Sequence, residues 1–326
     1  MQCKAIVVNQ IGGPEVLRFE ERTVGEPGPG EGRVRQGAIG LNFVDIYYRT
    51  GVYPAPSMPF VPGNEGAGVV EAVGPGVTEV RVGDRVAYAG GPLGSYAEAR
   101  VMPARFLVQL PDRIDDATAA AAMLKGLTTQ FLIHSTYPVK AGETILVHAA
   151  AGGVGLILCQ WAKHIGASVI GTVGSDEKAR LAAQNGCAYT INYSREDFVA
   201  RVKEITGGQG VPVVYDSVGQ STFMKSLDCL RPRGLMVSYG QASGLVPPFS
   251  VNILSAKGSL YLTRPTLQAY AANREALEAM SRALFEVLAK GIVRCEVKQR
   301  FKLSNAADAH RALGDRQTTG SSVLLP

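Results

Sequence analysis

The pattern of apolar and polar positions changes texture near Pro111. Before it, short apolar pieces such as Ala67-Gly-Val-Val-Glu-Ala-Val73 and Val80-Arg-Val-Gly-Asp-Arg-Val86 are broken by glycine and proline, as in Gly74-Pro-Gly76. Strands this short, with turn signals this close, predict a small β-rich barrel or sandwich. After it comes an alanine-rich helix over 115–130, then buried strands alternating with helices. The pattern predicts strands over 144–148, 168–172, 188–192, 211–216, 235–239 and 259–262, with helices over 154–165, 177–184, 198–206 and 223–230. Six strands with crossover helices predict an α/β fold with a doubly wound parallel sheet. A further helix puts Leu277, Met280, Leu284 and Leu288 on one face, a spacing that predicts core packing. The closing segment, 297–325, is β-like again and is expected to rejoin the first domain. The expected domains are therefore 1–125 with 266–326, and 126–265.

Composition narrows the class. A chain of 326 residues, 46% hydrophobic and 19% charged, suits a globular protein with two cores. The longest apolar run, around 118–123, stops at Lys125, well short of the ~20 residues that span a bilayer, so no membrane segment is expected. The N-terminal residues lack a basic region, an apolar stretch and a cleavage site, so nothing here directs export. Five scattered cysteines (Cys3, Cys159, Cys187, Cys229, Cys295) suggest neither a disulfide framework nor a metal knuckle, and a reducing cytoplasm is the expected location. The net charge of +5 comes from dispersed basic residues without interleaved aromatics, so nucleic acid is not the expected partner.

The strongest local signal is Thr144-Ile-Leu-Val-His-Ala-Ala-Ala-Gly-Gly-Val-Gly-Leu156, a strand running through a glycine turn into a helix. Ala150-x-Gly152-x-x-Gly155 fits the dinucleotide fingerprint with alanine for its first glycine. Such a site needs a tight turn, a residue without a side chain beside the pyrophosphate, and a glycine where helix and strand press together. Ala151, Gly152, Gly153 and Val154 are the expected contacts, with helix N–H groups holding the anion. The second strand ends Gly171-Thr-Val-Gly174-Ser175-Asp176-Glu177-Lys178, with glycine where an NAD enzyme carries a carboxylate about 20 residues on. Removing that carboxylate leaves room for a 2′-phosphate, which Ser175 and Lys178 supply with a hydroxyl and a cation. NADPH is thus the expected cofactor. Lys178 also suits a solvated helix residue, and Tyr193 suits either the adenosine or ordinary packing.

At this point a resemblance spans nearly the whole chain. Gly12-Gly-Pro-Glu-Val-Leu17, Asn42-Phe-Val-Asp45, Tyr47, Arg49-Thr-Gly51, Tyr53, Gly63-Asn-Glu-Gly-Ala-Gly68 and Gly83-Asp-Arg-Val86 resemble the catalytic domain of the medium-chain dehydrogenase/reductase family. His148-Ala-Ala-Ala-Gly-Gly-Val-Gly-Leu156, Cys159-Gln-Trp-Ala-Lys163, Tyr215-Asp-Ser-Val-Gly219, Ser226-Leu-Asp-Cys-Leu230 and Gly320-Ser-Ser322 resemble its quinone oxidoreductase branch, which includes ζ-crystallin. The resemblance implies a GroES-like β-rich domain beside a Rossmann domain, and a homodimer. Zinc alcohol dehydrogenases of that family carry cysteine and histidine ligands where this chain has Asn42 and Asn64. Zinc prefers thiolate, imidazole or carboxylate, so no metal is expected.

A quinone suits a site without metal because its conjugated carbonyls accept a hydride and delocalise the charge. The resemblance implies that Asn42, Asp45, Tyr47 and Tyr53 line the substrate cleft, with Tyr47 and Asn42 hydrogen-bonding the substrate or the nicotinamide ribose and Tyr53 as a stacking wall. Asn42 and Asp45 equally suit turn capping, and the tyrosines suit packing. Lys125 and Thr128 are candidates for the cofactor phosphates. Ser217 and Val218, Tyr239, Gly240 and Gln241, and Leu262, Thr263 and Arg264 follow the fourth, fifth and sixth strands, where such sheets bind ligands. Among these Arg264 is the expected polar contact, while Val218 and Tyr239 are expected to pack. Two other activities fit the same residues: reduction of α,β-unsaturated carbonyls, and a non-catalytic role binding NADPH and RNA.

Overall fold

A computed structural model describes every residue, Met1–Pro326. The chain forms two compact units, one of Met1–Leu127, Tyr270–Lys290 and Cys295–Pro326, the other of Thr128–Ala269 and Gly291–Arg294.

The first unit opens with an antiparallel ribbon, β1 (Gln2–Val8) against β2 (Leu17–Thr23). There follow β3 (Glu31–Leu41), the short helix α1 (Phe43–Arg49), β4 (Glu65–Val73), β5 (Arg85–Ala89), β6 (Ala99–Pro103), β7 (Val108–Gln109) and the helix α2 (Asp116–Phe131). β3 alternates in and out as far as Ala38 and then stays buried through Leu41, where it runs into α1. Gly40 must be glycine: a Cβ there would lie 2.1 Å from the Glu65 carboxylate and 2.3 Å from the Ala120 carbonyl.

The second unit contains β8 (Thr144–Val147), α3 (Gly153–Ile165), β9 (Ser168–Val173), α4 (Asp176–Gln184), β10 (Cys187–Asn192), α5 (Phe198–Ile205), β11 (Val211–Asp216), α6 (Phe223–Ser226), β12 (Leu230–Ser238), α7 (Asn252–Ala256) and β13 (Tyr261–Thr263). All six strands are parallel, in the order β10-β9-β8-β11-β12-β13. The winding reverses between β8 and β11, and sheets of this kind bind ligands at the strands' carboxyl ends beside such a reversal. Leu146, Ile170, Ile191, Val214 and Met236, one from each of five strands, pack with Phe198, Val202, Phe223 and Leu227. The expected helix over 223–230 is shorter than its pattern suggests. It tightens to a 3-10 turn over Leu227–Cys229 and gives way to β12 at Leu230. Pro232 cannot continue a helix, and the strand kinks there with Arg233 at φ 60°.

After the short helix α8 (Leu267–Tyr270), the chain closes with α9 (Arg274–Ala289), β14 (Val297–Lys302), α10 (Ala306–Gly314) and β15 (Ser321–Leu325). β15 runs antiparallel to β3 and parallel to β14, giving a seven-stranded sheet β14-β15-β3-β4-β5-β7 with β6 also on β3. Asn273 caps α9, its carboxamide accepting from Ala276 N at 2.9 Å. Leu277, Met280 and Leu284 are buried as their spacing predicts, but the stripe turns toward Phe285 and Val287, and Leu288 is half-buried. No helix is long and apolar enough to cross a membrane.

Candidate functional site

In the second unit β8 passes into α3 through residues 148–152. Ala149 adopts a left-handed φ of 53°, and Gly152 N–H returns to its carbonyl at 2.8 Å, closing the turn. Gly152 is the N-cap of α3 and offers no side chain. A Cβ there would meet only the Ala149 carbonyl, at 3.1 Å, so its outward side is open. Gly155 is the opposite case: a Cβ would lie 2.4 Å from Ala149 O and 2.8 Å from the Ala150 backbone. The two glycines therefore fill the two roles the fingerprint demands, one leaving space and one permitting contact. Ala151 is buried, while Gly153 and Val154 are half-exposed in the first turn, where unpaired N–H groups and the helix dipole favour an anion.

His148 anchors this turn from beneath. Its ring is fully buried, with Nδ1 2.8 Å from Thr172 Oγ1 and Nε2 2.8 Å from Ser226 Oγ, and burial lowers its pKa. Ser226 donates to Thr222 O at 2.9 Å and so accepts from His148 Nε2–H, leaving Nδ1 to accept from Thr172. A neutral imidazole thus ties together β8, β9 and α6.

At the end of β9, Gly174 lies under Tyr193, whose Oη would be 2.7 Å from a Cβ. Ser175 is the N-cap of α4 and accepts from Lys178 N at 3.2 Å. Asp176, which opens the same helix, is turned away toward β10: its carboxylate accepts from Asn192 Nδ2 at 2.7 Å and pairs with Arg195 at 2.8 Å. Gly174 and Tyr193 are thus brought together, and Ser175 and the Lys178 backbone share the first turn of α4.

Beyond β11, Asp216 is buried and caps its own turn, accepting from Val218 N at 2.7 Å, Gly219 N at 3.0 Å and Thr222 Oγ1 at 2.8 Å. This fixes Ser217 and Val218, both half-exposed. Arg264 donates to Ser238 O at 2.9 Å, Gly240 O at 3.0 Å and Gln241 Oε1 at 3.2 Å. It braces the loop after β12 and remains exposed. Tyr239 is half-buried and its phenol is pushed upward in pKa by burial, while Leu262 and Thr263 lie on the edge strand.

In the first unit, Asn42 is the N-cap of α1, and its N–H donates to Asp45 Oδ2 at 2.9 Å, the return arm of a capping box. Its Nδ2 donates to Glu65 Oε2 at 2.7 Å. Glu65 is fully buried and also accepts from Leu124 N at 2.6 Å and Lys125 Nζ at 3.3 Å. Lys125, expected at the cofactor phosphates, is therefore 6% exposed and ion-paired within its own unit. Thr128, next along α2, is half-exposed. Asn64 Nδ2 reaches Asp45 Oδ1 at 3.3 Å. Asp45 has no exposed surface, and burial raises its pKa to about 7, so it supports the site from behind. Tyr53 stands edge-on to Tyr47 and Tyr48 at 5.2 and 5.7 Å between centroids, and its N–H donates to Tyr47 O at 3.0 Å. Both Tyr47 and Tyr53 are half-exposed, an aromatic surface formed by the capped helix and the segment that follows it. Sequence reasoning missed Glu65, Tyr96 and His310 as site-building groups, and of these only Glu65 lay in a motif it had singled out.

Residues 28–112 match the alcohol dehydrogenase GroES-like domain, and residues 153–285 match the family described as zinc-binding dehydrogenase. The chain is 58% identical to a quinone oxidoreductase of Pseudomonas aeruginosa, over 99% of this chain and 100% of that protein. It is 50% identical to a 2-haloacrylate reductase of a Burkholderia species, over 99% and 98% of the two chains. The crystal structure of Escherichia coli quinone oxidoreductase complexed with NADPH superposes with a TM-score of 0.98 at 49% identity, covering 99% of this chain and 100% of that one.

Proposed function

The chain belongs to the quinone oxidoreductase family, and we propose that it reduces quinones with NADPH, by a hydride transfer that no bound metal assists. The observation that carries this reading is the open Gly152 turn in the same unit as a β9 end that has Gly174, Ser175 and Lys178 in place of a carboxylate. The turn and the first N–H groups of α3 fit a pyrophosphate, and the β9 end fits a 2′-phosphate. NADPH, when bound, supplies the hydride from its nicotinamide C4. The protein's own part is to bind, orient and stabilise. Tyr47 presents its hydroxyl to the acceptor oxygen and Tyr53 forms an aromatic wall, while Asn42 and Asp45 hold the helix that carries Tyr47. Ser217, Val218, Tyr239, Gly240 and Gln241 form the rim at the carboxyl ends of β11 and β12, braced by Arg264.

Zinc does not fit these residues. Asn42 and Asn64 offer carboxamides, and the nearby carboxylates are taken, Glu65 by Asn42, Leu124 and Lys125, Asp45 by Asn42 and Asn64. A reducing cytoplasm is proposed as its location, a reading that five free thiols support. A homodimer through the edge strand β13 accounts for the exposure of Tyr261 at 61% and Leu262 at 38% there.

Cofactor choice is tested by fluorescence titration. Wild type is expected to bind NADPH at least about tenfold tighter than NADH, and Lys178→Ala to remove most of that margin by weakening NADPH alone, as loss of a charge-assisted bond would. Equal wild-type affinities would contradict the proposal. A second reading, reduction of α,β-unsaturated carbonyls, is favoured by the similarity to the 2-haloacrylate reductase, whose substrate is by name a conjugated acid.

A further inference from the structure

We infer that Arg49, His310, Tyr96 and Asp45 form one hydrogen-bond relay of fixed direction, and that His310 and Tyr96 are positioning residues for quinone reduction, holding α1 and its Tyr47 at both ends. The inference rests on Tyr47 meeting the acceptor, as proposed above.

The relay begins with a buried cation. Arg49 is 6% exposed, its one side-chain hydrogen-bond partner is His310 Nδ1 at 3.2 Å, and its Nε has none. A buried guanidinium needs compensation: Glu15 is the carboxylate that acts on it, and His310 supplies its acceptor. Each link has only one possible sense. A guanidinium can only donate, so His310 Nδ1 accepts. His310 is 1% exposed, and burial together with Arg49 lowers its pKa to about 3, so the ring is neutral and its single proton sits on Nε2. Nε2–H therefore donates to Tyr96 Oη, 3.0 Å away. The phenol's own proton is left for Asp45 Oδ2, at 3.1 Å. Asp45 completes its shell with Asn42 N and Asn64 Nδ2.

Both ends of this chain lie on α1, Asp45 in its first turn and Arg49 in its last. The middle comes from elsewhere: Tyr96 precedes β6, and His310 lies on α10, with the two rings edge-on at 5.7 Å. Loss of His310 strands Arg49 in the last turn of α1, loss of the Tyr96 oxygen removes a donor to Asp45 in the first, and either displaces Tyr47. No member of the relay belongs to the nucleotide-binding unit, so cofactor affinity should be spared.

The test is a double-mutant cycle read by quinone kcat/KM and, separately, by NADPH Kd. Tyr96→Phe and His310→Leu are each expected to lower quinone kcat/KM about tenfold with a raised KM and unchanged NADPH Kd, and the double variant to be no worse than the worse single. His310→Gln, which keeps a donor toward Tyr96, should recover most of the loss. Losses that multiply in the double variant, or an unchanged kcat/KM in Tyr96→Phe, would overturn the relay. Tyr96→Phe removes one oxygen and keeps the ring, so it decides the matter alone where His310→Leu does not fold. Tyr47→Phe separates the two ideas: if it costs nothing, the acceptor assignment is wrong, whereas activity lost in Tyr47→Phe but retained in Tyr96→Phe rejects only the relay.

Discussion

Gly152→Asp is expected to leave the protein as stable as wild type, or slightly more so, while NADPH affinity falls at least ~100-fold, the equivalent of about 3 kcal/mol. The two effects come from one position. Gly152 has φ −80° and ψ 172°, a conformation open to any residue, and it caps α3 without a side chain of its own. Aspartate is a favoured N-cap, a few tenths of a kcal/mol better than glycine, so the free helix gains a partner for its first N–H groups, against a 3.1 Å approach of the new Cβ to the Ala149 carbonyl. Those are the groups proposed to hold the pyrophosphate. The carboxylate would occupy them and add a like charge beside the phosphates. Thermal melting and NADPH titration check both halves, and a variant that melts normally and binds NADPH normally would show that the anion lies elsewhere.

Glu65→Leu is expected to destabilise the first unit by roughly 3–5 kcal/mol, because it removes the buried carboxylate that pairs with the Lys125 ammonium. For a unit of this size that corresponds to a fall of about 10 °C in melting temperature. The Leu124 N–H and the Asn42 carboxamide lose their acceptor in the same step. Adding Lys125→Met removes the ammonium as well, so the double variant should melt above Glu65→Leu alone. Calorimetry of the two variants is the check, and a double variant that melts lower would mean that Lys125 draws its compensation from another group.

The α/β sheet was readable from sequence because strands buried on both faces give short apolar runs, as in Thr144-Ile-Leu-Val147 and Val211-Pro-Val-Val-Tyr-Asp216, and crossover helices separate them. The turn between β8 and α3 was readable because its geometry is local: Gly152 leaves space and Gly155 permits close contact within one turn. Where local pattern misled, a backbone constraint had intervened, as at Pro232, which ends the helical texture around 223–230. The polar interior of the first unit was largely hidden. Asn42 and Asp45 were legible as either capping or substrate groups, and the structure engages both in a cap. Tyr96 and His310 stand 214 positions apart, and Arg49 and His310 stand 261 apart. Nothing in spacing or composition announces a bond over that separation, because the return of α10 and β15 to the first unit creates it. The ion pair of Lys125 with Glu65 was hidden for the same reason, since the two stand 60 positions apart.

The measurement closest to the central claim is steady-state turnover at saturating NADPH, comparing 1,4-quinones with 2-enals and 2-haloacrylate. An NADPH-dependent quinone reductase should give a kcat/KM for quinones at least about tenfold above that for the conjugated acids and aldehydes. Rapid reduction of the enals or haloacrylate with inert quinones would contradict the account.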